Sequence, residues 1–334
     1  VTRSPREGID RPIDFSYDAC WFECTECGDR VVMTFEDYDN GASRTCRSGH
    51  EVSAQTEYPA LTDLSDIALD PAEIERLAWY HTSTYHDWPP TDESPRASAT
   101  HLGTFESAIE NMFRRMRDQD DADSQFYLHR VLIGCPPVEV SPLGPELSDF
   151  MGNVRLGALH EAGYPVVRYV NVHEHTGSIS LVMVPSVITR VQTLAVPLSL
   201  DVEESSASRE VFARHAAERD EVTARRPSTE GISRLEYLKP RDPETAPIVR
   251  AARACDRELW AAEDRYKQAM TSEHMPGVGY RTREKLLDAR RYHRADLVAA
   301  HDKFRLLAEL VQNPARTLAA LRAQPVREIG GKAR

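Results

Sequence analysis

The clearest chemical pattern in this 334-residue chain lies near its N-terminus. Cys24-Thr25-Glu26-Cys27-Gly28 has the form of a knuckle, a tight turn aiming two thiolates at one point, with Gly28 easing the backbone through it. Cys46-Arg47-Ser48-Gly49-His50 offers a second pair, again with a glycine before the last ligand. Two pairs of soft or borderline ligands suit a closed, structural, tetrahedral zinc site. A reducing compartment disfavours disulfides, which leaves metal binding as the use of this spacing. Cys20-x3-Cys24 is a competing spacing. The two-pair arrangement favours Cys24, Cys27, Cys46 and His50, because it distorts the chain less. Between the pairs, Arg30 to Phe35 is short and β-prone, as a zinc ribbon requires. The acidic run Glu36 to Asp39 in the same module argues against DNA contact and for a structural or protein-contacting role.

A second set of polar residues sits where strands are expected to end. Tyr80-His81-Thr82-Ser83 closes a β-prone run, and His101-Leu102-Gly103-Thr104 leads straight into a helix from Phe105 to Phe113. Tyr169-x-Asn171-x-x-Glu174 before Gly177-Ser178-x-Ser180 reads as strand, polar turn, strand. That is a hairpin with a carboxylate at its mouth, and Asn171 reads as the residue shaping the turn.

In this order and spacing, the three phrases resemble the ADP-ribosyltransferase-like domains of bacteria and phage, over Ala78 to Thr193. The resemblance implies a split β-sheet fold and NAD as substrate. It implies Glu174, His81 and His101 as catalytic residues, with Tyr80, His81, Thr82, Ser83, Gly103, Thr104 and Tyr169 around the dinucleotide. His81 would donate to the adenosine-side ribose, while Thr82 and Ser83 would place the nicotinamide amide. Many members carry a tyrosine in the second motif; His101 there is similar to the tRNA phosphotransferase branch of the fold. Tyr85, Trp88 and Phe105 are alternative rings to stack on nicotinamide. The chemistry itself asks for one group above all. Breaking the nicotinamide–ribose bond creates an oxocarbenium-like centre, and a carboxylate such as Glu174 beside that ribose stabilises it.

These groups need elements to hold them. Leu61 to Trp79 reads as helical, starting at Asp70-Pro71. Strands are expected at Tyr127–Ile133, Val138–Val140, Val166–Val170 and Ile179–Val184. A helix over Asn153–Ala162 should end at Gly163. On the helix after His101, the spacing puts Ala108, Ile109, Met112 and Met116 on one face. From Leu200 the composition turns to Ala, Arg and Glu. Helices are expected over Ser206–Arg225, Thr245–Thr271 and Thr282–Val311, the last two forming an antiparallel hairpin along a heptad-like seam. Small residues in that seam (Ala252, Ala262, Ala300) would let a homodimer form through it. Arg281, Arg283, Lys285, Arg290, Arg291 and Arg294 make one basic stretch, read as a solvated face with a nucleic-acid or acidic-partner contact as the alternative. The tail from Glu328 is expected to be disordered.

The expected organisation is therefore α+β: a zinc ribbon over 1–58, an ADP-ribosyltransferase-like domain over 59–198 and a helical hairpin over 199–334. Lys and Arg total 41 against 53 Asp and Glu, a net charge of -12. That balance excludes a general nucleic-acid coat or a polybasic membrane binder. No apolar run reaches the roughly 18 residues of a membrane span, and the expectation is a soluble, cytoplasmic protein. The function expected is transfer of ADP-ribose from NAD to a protein or nucleic-acid acceptor. The alternatives are NAD hydrolysis and a non-catalytic scaffold.

Overall fold

The computed structural model describes residues 7–54, 58–92, 94–118, 124–146, 154–199, 204–289 and 296–329. At the N-terminal end, β1 (Ala19–Glu23) and β2 (Arg30–Thr34) pair antiparallel on either side of the Cys24–Cys27 knuckle. Helix α1 (Phe35–Asp39) follows, capped by Thr34, whose hydroxyl accepts the Asp37 N–H at 3.1 Å. Strands β3 (Ser43–Thr45) and β4 (Glu51–Ser53) flank the Cys46–His50 turn. Strand β5 (Pro59–Ala60) joins the other edge of β1. Phe22, Met33, Phe35 and Val52 fill a small core between these pieces.

The middle of the chain supplies β6 (Trp79–Ser83), β7 (Thr100–Leu102), helix α2 (Phe105–Asp118), β8 (Phe126–Ile133) and β9 (Gly144–Pro145). Helix α3 (Leu156–Ala162), β10 (Val166–Val170), β11 (Ile179–Met183) and β12 (Ile188–Val196) complete it. The strands form two four-stranded sheets. One runs β7-β11-β10-β9; the other runs β12-β8-β6, with a further strand from the C-terminus outside β12. The sheets meet where Tyr80 and Gly103 exchange both backbone hydrogen bonds, each 3.0 Å long. A Cβ on Gly103 would stand 2.7 Å from Ser107 Cβ, so only glycine allows this junction to close against α2. The face of α2 expected from its spacing is buried, at Ala108, Ile109, Met112 and Met116.

The remaining elements are α4 (Ser206–Arg225), α5 (Arg234–Leu238), α6 (Thr245–His274), α7 (Tyr280–Ala289), α8 (Leu297–Gln312), α9 (Pro314–Arg322) and β13 (Arg327–Glu328). The single helix expected over Thr282–Val311 is instead two. The break is set by Asp296, whose extended backbone precedes α8 and whose carboxylate accepts the Ala299 N–H at 3.0 Å; residues 290–295 lie outside the described residues. Helix α6 packs along α4 as well as α8, while α7 lies on α2. The core is accordingly continuous from Phe105, Ile109 and Met112 to Tyr266, Leu286 and Phe304. Glu328 pairs with Arg190 in the sheet; residues 330–334, like Arg290, Arg291, Arg294 and Asn153, lie outside the described residues.

Two more expectations are corrected. Leu61 to Trp79 holds two short 3-10 turns, Ile67–Leu69 and Ile74–Arg76, before β6 begins. Asp63, Asp66 and Asp70 each capture the backbone N–H two residues on, at 2.8 to 2.9 Å, which diverts the chain from continuous helix. Val138–Val140 is not a strand: Pro137–Glu139 forms a 3-10 turn, and only Val140 bridges to Val166. Among the described residues, no helix is long and apolar enough to cross a membrane.

Candidate functional site

Two sites emerge. In the first, Cys24, Cys27, Cys46 and His50 each bring a ligand atom within 4.8 Å of the others, a set that could hold a metal ion. Cys24 Sγ lies 3.6 Å from His50 Nδ1, and Cys27 Sγ lies 3.6 Å from Cys46 Sγ. A tetrahedron with metal–sulfur bonds of about 2.3 Å has edges of about 3.8 Å, so these separations are compatible with zinc. Gly28 and Gly49 adopt positive φ, 72° and 88°, at the two turns that aim the ligands. The backbone N–H of Asp29, with the Ser48 hydroxyl, holds the Cys27 thiol down at about 6, so it is largely thiolate at neutral pH. Cys20 stands apart. Burial pushes its thiol up to about 11, and its Sγ contacts the Met33 carbonyl at 3.8 Å.

The second site is a cleft of about 860 Å³ between the two four-stranded sheets and α2, within the roughly 300–1,000 Å³ range of ligand pockets. His81, Ser83, His101, Tyr169 and Glu174 all line it. A smaller adjoining cavity of about 70 Å³ is lined by Tyr80, Thr82 and Gly103 together with His81, His101 and Glu174.

His81 Nδ1 stands 2.9 Å from the His101 carbonyl oxygen, which can only accept. Burial pushes the His81 imidazole down to about 3. The ring is therefore neutral with its proton on Nδ1, and Nε2 can only accept a hydrogen bond. That reverses the expected donation from His81. Its ring stacks on Trp88 at 4.6 Å between centroids, and Trp88 stacks on His129 at 5.0 Å. His101 Nδ1 pairs with the Tyr169 hydroxyl at 3.0 Å, while its buried Nε2 has no hydrogen-bond partner among the described residues. An unsatisfied buried nitrogen on a cleft wall is where a ligand's polar group belongs.

Glu174 is 7% exposed. Its Oε1 accepts from Arg114 Nε at 2.6 Å and Asn111 Nδ2 at 3.3 Å, which keeps a carboxylate in place at the wall. The turn carrying it is shaped by Asn171, whose Oδ1 accepts the N–H groups of His173 and Glu174 at 3.0 and 2.9 Å. Three other parts of the chain clamp the turn. Thr62 N–H donates to the Gly177 carbonyl at 2.8 Å from the N-terminal module's edge. From α2, Glu110 accepts the His175 N–H at 2.9 Å. From α7, Lys285 donates to Glu110 and to the His173 carbonyl, both at 2.5 Å, and Arg281 donates to Thr176. Arg281 also lies over the rings of Phe35 and Tyr38. These two members of the basic stretch therefore face inward, rather than forming a solvated face.

Three expected residues are engaged in other contacts. Thr104 lines neither cavity: its hydroxyl caps α2, accepting the Ser107 N–H at 3.0 Å, and pairs with His175 Nδ1 at 2.8 Å. The Tyr80 hydroxyl is turned to Asp10, so Tyr80 borders the smaller cavity with that group already engaged. Phe105, proposed as a stacking ring, is buried edge-on against Phe15 and Tyr80. Trp88 lines the cleft within its imidazole stack, and Tyr85, 74% exposed, is the open ring at the rim. The sequence reading missed Arg114, Asn111 and Glu146, which also line the cleft. Spacing on α2 could have found the first two, one turn apart from the buried face. Nothing in the local sequence marks Glu146.

No family model, curated protein or solved structure matches this chain.

Proposed function

We propose that the cleft binds NAD and cleaves its nicotinamide–ribose bond, transferring ADP-ribose to a protein or nucleic-acid acceptor, in a domain of the ADP-ribosyltransferase type. One observation carries the reading: His81, His101, Tyr169 and Glu174, drawn from three separate stretches of chain, line a single cleft large enough for a dinucleotide. The junction of two small sheets at Tyr80 and Gly103 supports a split-sheet fold. In this account Glu174 faces the ribose and stabilises positive charge developing at C1′. His81 Nε2 accepts from a ribose hydroxyl, and the orphaned His101 Nε2 meets a second polar group of the substrate. Holding a flexible dinucleotide in one compact pose supplies a further part of the rate. The four-ligand cluster is a structural zinc ribbon; through β5 and Thr62 it braces the turn that carries Glu174.

The test is incubation with NAD labelled on its adenine half. Label on macromolecules, abolished by Glu174→Gln, is the expected result. Label found only as free ADP-ribose would make the protein a hydrolase, and unaltered NAD would make the domain a scaffold.

A further inference from the structure

We propose that Glu146 is the proton acceptor of this site, taking the proton of the attacking water or acceptor hydroxyl; the inference rests on the NAD reading above. Glu146 follows β9, which runs parallel to β10, so it stands where β10 gives way to the Glu174 turn. Its Oε2 accepts the Val172 N–H at 3.1 Å within that turn, and its own N–H donates to the Tyr58 hydroxyl at 3.0 Å. It lines the same cleft as Glu174.

The two carboxylates have different surroundings. Glu174 is ion-paired with Arg114 at 2.6 Å. Glu146 has no ion-pair partner among the described residues. The groups acting on it are the Glu174 charge, Arg114, and the phenols of Tyr58 and Tyr169. Burial pushes its carboxyl up to about 7, with the Glu174 charge adding to the rise and the Val172 N–H and Arg114 opposing it. The pair divides the work by its contacts: Glu174, held by Arg114, sits as the electrostatic partner of the ribose, and Glu146, held only by the Val172 N–H, is free to take a proton.

The step balances as follows. The bond from ribose C1′ to the pyridinium nitrogen breaks with its electron pair kept by nitrogen, so nicotinamide leaves neutral. The oxygen of water or an acceptor hydroxyl bonds to C1′. Its proton passes to the Glu146 carboxylate and from there to solvent.

The experiment follows nicotinamide release and NAD binding against pH for the parent, Glu146→Gln and Glu146→Asp, with circular dichroism as the folding control. The parent rate should rise with pH up to about 7 and then level. Glu146→Gln should bind NAD as the parent does but lose about 10²–10⁴-fold in rate, together with the pH dependence. Glu146→Asp should keep a pH-dependent limb. A Glu146→Gln protein that keeps both rate and limb overturns the proposal and leaves the NAD reading standing. A parent protein that binds no NAD overturns both.

Discussion

Nδ1 of His81 lies 2.9 Å from the carbonyl oxygen of His101, so one cleft-lining histidine is fixed by the backbone of the other. The contact selects the tautomer, and burial keeps the ring neutral. The same holds nearby. Burial also pushes His101 down to about 4 and His129 down to about 2. Of these three, His81 and His101 line the cleft as neutral imidazoles at physiological pH, while both His129 nitrogens are taken by Ser83 and Thr193.

Neutral buried imidazoles make the fold acid-sensitive. Each of the three has a folded-state pKa below its unfolded value near 6.5, so its contribution is complete above that pH. It is lost as pH falls from 6.5 toward the folded values of about 4, 3 and 2. Urea unfolding should show stability dropping below pH 6.5 by roughly 1.4 kcal/mol per pH unit for each imidazole, and less steeply in His129→Gln. Stability that is flat from pH 6.5 to 5 would contradict the assignment.

Glu110 is the buried junction of three parts of the chain, accepting from Tyr17, Thr282, Lys285 and the His175 N–H. Burial raises its carboxyl, but Lys285, Thr282 and Tyr17 outweigh that and hold it at about 2. Its contribution is therefore complete above about pH 4.5 and is lost as pH falls toward 2. Glu110→Gln leaves Lys285 without its charge partner and should cost about 3–5 kcal/mol in denaturant unfolding. A loss under about 1 kcal/mol, the level of an exposed pair, would show that the network does not hold the parts together.

Gly177 has φ +83°, and a Cβ there would stand 2.2 Å from Thr62 Oγ1 and 2.9 Å from the Ala60 carbonyl. Gly177→Ala should lower stability by about 1–3 kcal/mol and, by shifting the turn that bears Glu174, slow nicotinamide release. Parent-like stability and turnover would mean that the N-terminal module does not brace this turn.

For the metal cluster, purified protein should contain one zinc per chain, and Cys46→Ser should contain none. Apparent binding energies for structural zinc run to about 10–16 kcal/mol in small peptides, so chelation should unfold the ribbon and expose Cys20 to thiol reagents. Protein that takes up no zinc when refolded with it would remove the ribbon from the account.

The legible parts of the chain were those with strong local signals. The apolar runs at β8, β10 and β11, the amphipathic α2 and the helix α4 all announce themselves. The knuckle spacing likewise carries its own geometry, with left-handed glycines at both turns. Leu61 to Trp79 misleads because its buried apolar residues Ile74 and Leu77 fit a helix, while three aspartates rewire the backbone locally. The fastening of α7 to α2 was hidden for another reason. Glu110 and Lys285 are far apart in sequence and look like surface charges until the fold buries them together. Glu146 was hidden too, since its environment comes from the Val172 turn and not from its neighbours in the chain.

The most direct test is calorimetric titration of NAD into the parent and Glu174→Gln, with nicotinamide measured in the same samples. The account predicts binding by both proteins and nicotinamide release by the parent alone, since the amide keeps the size of the side chain and removes its charge. Absence of NAD binding by both would contradict it.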